Sequence, residues 1–315
     1  MDCDSDSDFY GDEETVLNLK ARVSSFDQTH YRLTHPEPSL ISRRLTPKNR
    51  PSSSSKSPGA DLAGRLHNRY SHLPECAWEL TESIDAFLAR LPPATTDWRP
   101  GLDWIFIANP YIPGPATSSP YSSSPSQSSS GLAQLKQAGT ERLSIFSDFV
   151  SLTNFKIKSP FAAKQQIAKA RKEVISDLRD LAVATGEITG KWMLFPEPGQ
   201  VNEVWAAVAK ATANNELGIA AKVETRVRSD KERLICVYTT DYRDKDDVAR
   251  VLKRLRELNL VQAPSRGPRG GKQVYYKCDA WTELNIYGGN EWEIPASMYS
   301  SNEIFAYLKE QSAKK

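Results

Sequence analysis

Histidine is scarce, and what there is lies early in the chain. All four (His30, His35, His67 and His72) fall in the first quarter of the 315 residues. A histidine general base, a Ser-His-Asp triad or a histidine-bearing metal site is therefore excluded from everything that follows. Cysteine is also scarce. Cys3, Cys76, Cys236 and Cys278 show no paired spacing, which suits a reducing compartment and argues against a zinc site. Cys236 and Cys278 alternate within strand-like runs and read as small core residues. His72-x3-Cys76 is too slight a pattern to mark a nucleophile, and nothing singles out Glu187, Glu224 or Asp241 as catalytic carboxylates. No apolar run approaches the ~20 residues a membrane span needs. The N-terminus is acidic rather than basic-then-apolar, so no signal peptide is expected. These absences lead us to expect a non-enzymatic protein of the cytoplasm or nucleus, with no cofactor, no metal and no membrane partner.

Charge is nearly balanced at +2 but unevenly spread. Residues 1–14 hold seven acids and no base, so the remaining chain carries 41 bases against 32 acids. Such a tail is expected to be disordered and solvated, with Ser5 and Ser7, each followed by Asp, as candidate acid-directed phosphorylation sites. PSSSSKSPGA (51–60) reads as linker. The expected organisation is a disordered tail over 1–60 and one domain over 61–315. A serine-rich insertion at 113–131, with nine serines in 116–130, interrupts that domain, at little cost in closure entropy.

Within the domain, LAGRLHNRYSHL has helical spacing through Leu62, Leu66 and Tyr70. Cys76 to Leu91 carries a stripe of Trp78, Leu80, Ile84, Phe87, Leu88 and Leu91 that Pro92 and Pro93 end. WRPGLDWIFIANPYI (98–112) holds the first strand, with Trp104, Phe106 and Ala108 on one face. Leu132 to Val150 reads as helical. Ser159-Pro160 is an N-cap with proline at the first helical position, opening a helix to Ala184 that Gly186 terminates. Its lysines and arginines, from Lys164 to Arg179, read as a solvated face.

Gly190 to Phe195 (GKWMLF) is a short buried strand closed by Pro196 and Pro198, and it is followed by a helical stripe through Trp205. GIAAKVETRVR (218–228) alternates. Ile219, Ala221, Val223, Thr225 and Val227 point one way, while Lys222, Glu224, Arg226 and Arg228 point the other. Ser229-Asp230 supplies a turn to LICVYT (234–239). Asp244 caps a helix buried through Val248, Val251, Leu252, Leu255 and Leu258. PSRGPRGGKQ (264–273) fails the GxxxxGK spacing and leads to a strand, VYYKCDAWT (274–282), so it is no phosphate loop. A helix near Ile304 to Leu308 ends the chain. The pattern predicts an α+β fold with helices covering one sheet face and the other face partly open to solvent.

GKWMLF, a helix carrying Trp205, then GIAAKVE, ICVYTTDY and a capped helix resembles the core of the cap-binding translation initiation factor 4E. That family runs GGRWL, a helix with Trp, GAVVNVR, IAIWTT and a helix. More closely, the chain is similar to the basophilic-leukaemia-expressed protein family, built on a like fold with GKWM, AAKV, ICVYT and NxW-type segments. The resemblance covers about residues 98–300 and is most specific over 190–242. It implies a curved antiparallel sheet backed by helices on one face, with a concave face that in the cap-binders holds a methylated guanine nucleotide, stacked between two tryptophans with a glutamate on the base and Lys/Arg on the phosphates. Lys191 matches the basic residue of GGRW. Glu224 stands where the cap-binder strand ends in arginine. No Trp-Glu pair occurs in the loop immediately before GKW, and Trp98 and Trp104, which flank the first strand, give no clear match to the second stacking tryptophan.

The expected site is thus a basic, partly aromatic concavity. Lys191, Lys222, Arg226, Arg228 and Lys231 are its candidate phosphate ligands, joined by the loop residues Arg266, Arg269 and Lys272, and Trp98 and Trp104 are its candidate stacking residues. RNA or a nucleotide is the expected partner. The alternative is a protein-interaction module in which the helices Asp244–Leu258 and Pro160–Ala184 dock a partner.

Overall fold

The computed structural model describes residues 66–113, 128–228, 230–262 and 273–313. The expected tail with Ser5 and Ser7, the basic loop residues Arg266, Arg269 and Lys272, and most of the serine-rich insertion lie outside the described residues. In chain order the elements are α1 (Ile84–Arg90), β1 (Trp104–Ala108), α2 (Ser128–Lys156), α3 (Pro160–Thr185), β2 (Gly190–Leu194) and α4 (Val201–Ala213). They continue as β3 (Ala220–Glu224), β4 (Ile235–Thr239), α5 (Lys245–Glu257), β5 (Tyr275–Cys278), α6 (Asp279–Glu283), β6 (Tyr299–Ser300) and α7 (Ser301–Ala313).

The strands form one open, curved antiparallel sheet in the order β1-β3-β4-β2-β5-β6, which with the helices makes an α+β fold. Alternation sorts their side chains. Ile105, Ile107, Ala221, Val223, Ile235, Val237, Trp192, Leu194 and Tyr276 enter the core with Trp205 and Val208 of α4 and Val248, Val251, Leu252 and Leu255 of α5. Trp192 Nε1 donates to the Val248 carbonyl at 3.0 Å, tying the central strand to α5. The rings of Phe87 and Trp205 meet edge to face, 6.5 Å apart, joining α1 to α4.

The helix signals act locally as the sequence suggests. Ser159 accepts from Ala162 N at 3.4 Å, Asp244 accepts from Asp247 N at 3.1 Å, and Gly186 ends α3 in the left-handed region at φ 78°. Five stretches differ. Phe195, read as the end of a buried strand, lies beyond the last residue of β2 at Leu194 and is exposed. Cys76–Leu91 is helical only from Ile84, because 76–78 pairs along the outer edge of β1: Phe106 N donates to Cys76 O and Trp78 N to Phe106 O. That pairing also covers an exposed sheet edge. Leu66 to Tyr70 is not helical, with a turn only from Arg69, and Leu62 lies outside the described residues. α2 begins at Ser128, inside the stretch read as insertion, and its Gly131 lies so close to the Thr185 carbonyl that a Cβ there would sit 2.4 Å from that oxygen. The strand read over 274–282 stops at Cys278, because Asp279 N bonds the Thr189 carbonyl and starts α6.

The β3–β4 ladder depends on close backbone approach at Gly218, where a Cβ would lie 1.8 Å from the Tyr238 carbonyl oxygen. Gly218→Ala should lower the unfolding free energy by roughly 2–3 kcal/mol in denaturant titration. Gly199→Ala, with nothing within 4 Å of the added atom, should have little effect.

Candidate functional site

The sheet face away from the helical core is not simply solvated. Register aligns two rows of side chains across it. One row runs Phe106–Lys222–Cys236–Met193–Tyr275 and the other Ala220–Tyr238–Lys191–Lys277. Trp104 lies opposite Glu224 at one end. α6 and the segment after it rise beside β5, so Thr282, Tyr287, Gly288, Ala296 and Ser297 form a wall. The result is a cavity of about 620 Å³, with Lys191, Lys222 and Lys277 all in its lining. Its volume falls in the range of small-molecule sites.

The three lysines are held differently. Lys191 is buried; its ammonium donates to Asp279 Oδ1 and, at 2.9 Å, to Thr282 Oγ1. Thr189 Oγ1 donates to the other oxygen of Asp279 at 2.6 Å and so orients the carboxylate. Lys222 and Lys277 make no ion pair among the described residues. Each rests on an aromatic face instead: Lys222 Nζ is 4.0 Å from the Trp104 ring centre, and Lys277 Nζ is 3.8 Å from that of Tyr287. Tyr238 lies between Lys191 and Lys222, 5.6 and 5.7 Å from their ammonium groups. A cation over an aromatic ring gains about 0.5–2 kcal/mol, which is weaker than a buried ion pair and leaves the ammonium available to an anion.

Burial disfavours the charged forms. It lowers the Lys277 ammonium from 10.5 to about 8, with the positive charge of Lys191 adding to the effect. Lys222 is lowered too, mainly by desolvation. The thiol of Cys236, beneath the lysines on the cavity floor, is raised by burial to about 11 although both lysines oppose that shift. Cys236 thus faces the cavity rather than the core, unlike Cys278, which joins the core as expected.

The expected residues divide. Lys191, Lys222 and Trp104 line the cavity. Arg226 lies beyond the end of β3, where it donates to Asp97 at 2.6 Å and pairs with the 96–98 segment. Arg228 is exposed and bonded to Asp230 at 2.8 Å, and Lys231 is exposed outside the lining. The alternation fails here because the chain leaves the ladder after Glu224; Val227, expected inside, is 65% exposed. Trp98 donates to Asp103 at 2.6 Å and also lies outside the cavity. Lys277, Tyr275, Tyr287 and Asp279 were not among the expected site residues. The alternation of YYKC did place Lys277 opposite the core-facing Tyr276 and Cys278, and that was the available signal.

Two measurements follow from these contacts. Asp279→Ala would strand the Lys191 ammonium and should cost about 3–5 kcal/mol of stability in urea unfolding, most of it recovered when Lys191→Met is added. Lys277 has its folded pKa below its unfolded one, so its stabilising contribution is present above pH 10.5, fades as pH falls and is gone below about pH 8. Lys277→Met should therefore raise stability at pH 7 by on the order of 1–2 kcal/mol, allowing for water in the cavity, and flatten the rise between pH 8 and pH 10.

The family model described as basophilic leukemia-expressed protein Bles03 matches residues 19–285, which include Trp104, Lys191, Lys222, Lys277 and Asp279 and stop short of Tyr287. The match covers most of the sequence, and the chain belongs to that family.

Proposed function

We propose that this protein is a non-enzymatic nucleotide-binding protein. Its ligand would be a free nucleotide or the terminal nucleotide of an RNA, held in the cavity on the open sheet face. One observation carries the reading: Lys277, buried, and Lys222, half-buried, bring two ammonium groups without a carboxylate partner among the described residues into a cavity walled by Trp104, Phe195, Tyr275 and Tyr287. A cavity that desolvates amines without neutralising them favours an anion, and phosphate would draw both off their aromatic faces. The apolar walls suit a flat ring. Glu224 keeps one carboxylate oxygen on Leu234 N at 3.0 Å and leaves the other as an acceptor for base N–H groups. The resemblance of the element order to translation initiation factor 4E supports the same face, and cytoplasm and nucleus both supply such ligands.

Calorimetric titration of the full chain with ATP, GTP, 7-methyl-GTP and a short 5′-triphosphate RNA tests the reading. Binding of at least one is expected, weakened about tenfold or more by Lys222→Met or Lys277→Met and by less than twofold by Arg226→Ala. No binding, or losses at Arg226 and Arg228 that match those at the cavity lysines, would overturn it.

A second reading has its own observation. On the helical side a groove of about 590 Å³ is lined by Val204 and Ala207 of α4 with Leu258 and Leu260 after α5. A partner helix docked there would be lost on Ala207→Arg and retained on Lys277→Met.

A further inference from the structure

The α2–α3 hairpin ends in an apolar tip surrounded by charge of one sign. α2 closes at Lys156 and α3 opens at Pro160, with the Ile157 N–H on the Thr153 carbonyl at 3.0 Å and the Ser159 cap fixing the short connection. Phe155 is 88% and Phe161 80% exposed, each within one turn of that connection, and Leu152 is half exposed one turn back. Scattered exposed apolar residues are ordinary, but two phenylalanines this bare at one protruding end are not.

The charges around them are one-sided. From Phe149 to Lys172 the sequence holds six lysines and arginines and no acid. Of these, Arg171 pairs with Glu293, whereas Lys156, Lys158 and Lys164, which flank the phenylalanines, make no ion pair among the described residues. Neither the cavity nor the helical groove includes any of these residues.

We propose that this tip is a peripheral docking site for an anionic lipid surface. Leu152, Phe155 and Phe161 enter the boundary between headgroups and acyl chains, while Lys156, Lys158 and Lys164 reach the headgroup phosphates and carboxylates around them. The combination of bulky apolar residues with lysines at their margin is what an interfacial segment requires. Each lysine near an anionic surface strengthens binding about fivefold. Single-stranded RNA fits the tip less well. RNA is held in grooves that track its backbone, often with arginine and a series of stacking rings. This end belongs to neither concavity, carries the aliphatic Leu152 near its rings, and has no arginine, tyrosine or tryptophan from Phe149 to Lys164. A peripheral contact needs no spanning helix, and no described helix is long and apolar enough to span. The proposal does depart from the expectation of no membrane partner.

Co-sedimentation of the full chain with vesicles tests the proposal, using phosphatidylcholine alone and a three-to-one mixture with phosphatidylserine, at low and physiological salt. Binding to the mixed vesicles is expected, falling with salt and weak on phosphatidylcholine alone. Phe155→Ser with Phe161→Ser should weaken it at least tenfold without changing the melting temperature, since both rings are exposed. Lys156→Glu, Lys158→Glu and Lys164→Glu together should abolish it. Lys277→Met should leave it unchanged, which separates this site from the cavity. Failure to bind mixed vesicles at low salt, or equal binding by the phenylalanine variant, would overturn the proposal. So would a single-stranded oligonucleotide that binds through the same lysines in place of the vesicles.

Discussion

Lys191 and Lys277 face each other across β2 and β5, and the antiparallel register leaves neither side chain another direction to take. Like charges directly opposed in a sheet repel, and these two are also buried. Much of the surrounding structure answers that one constraint. The chain turns from strand to helix immediately after Cys278, which places the Asp279 carboxylate on Lys191 and gives α6 an acid in its first turn. Thr189 and Thr282 complete the hydrogen bonding, while Tyr287 offers its ring to Lys277. The one carboxylate pairs with Lys191 and leaves Lys277 on its ring, and a third cation, Lys222, stands in the adjoining row.

The opposite face of the same strands keeps this arrangement in place. Gly190 precedes Lys191, and a Cβ there would lie 2.4 Å from the Tyr276 hydroxyl, which shares a 2.5 Å hydrogen bond with Thr239. Trp192 follows Lys191 and is anchored on α5. A slip of one residue in β2 would turn Trp192 toward the cavity and a lysine toward the core, so packing on one face fixes the charge pattern on the other. Replacing the unpaired lysines by apolar residues would relieve desolvation without disturbing that packing. Stability therefore does not account for their presence, and the proposed ligand would.

How much could be read from the sequence follows from how local each determinant is. Ser159-Pro160, Gly186 and Asp244 bound their helices through contacts within a few residues, the alternation of β3 sorted Ala221 and Val223 into the core, and the apolar run of β2 marked Trp192 and Leu194 as buried. The α+β sheet with its open face was legible for that reason. The cavity was only half legible, because it arises where β2 meets a strand far along the chain. Lys222 could be placed by alternation, and Lys191 by its match to the basic residue of GGRW. Lys277 lay in a run read as one long strand, and Tyr287 contributes only once α6 turns the chain back. Arg226 and Arg228 continue the alternating pattern past the end of the ladder, where a pattern no longer implies a face. Cys76 to Leu91 carries helical spacing, yet backbone pairing with Phe106 takes its first residues into the sheet edge. Tertiary pairing overrode periodicity there.

The most direct test of the account is calorimetric titration with the best-binding nucleotide at pH 8, repeated in buffers of different ionisation enthalpy. If phosphate binds beside Lys277, it must favour the charged amine, and the complex should take up about half a proton at that pH. Lys222→Met together with Lys277→Met should abolish the uptake. Nucleotide binding with no proton linkage, or linkage that survives Lys222→Met together with Lys277→Met, would contradict the claim that the cavity lysines hold the ligand.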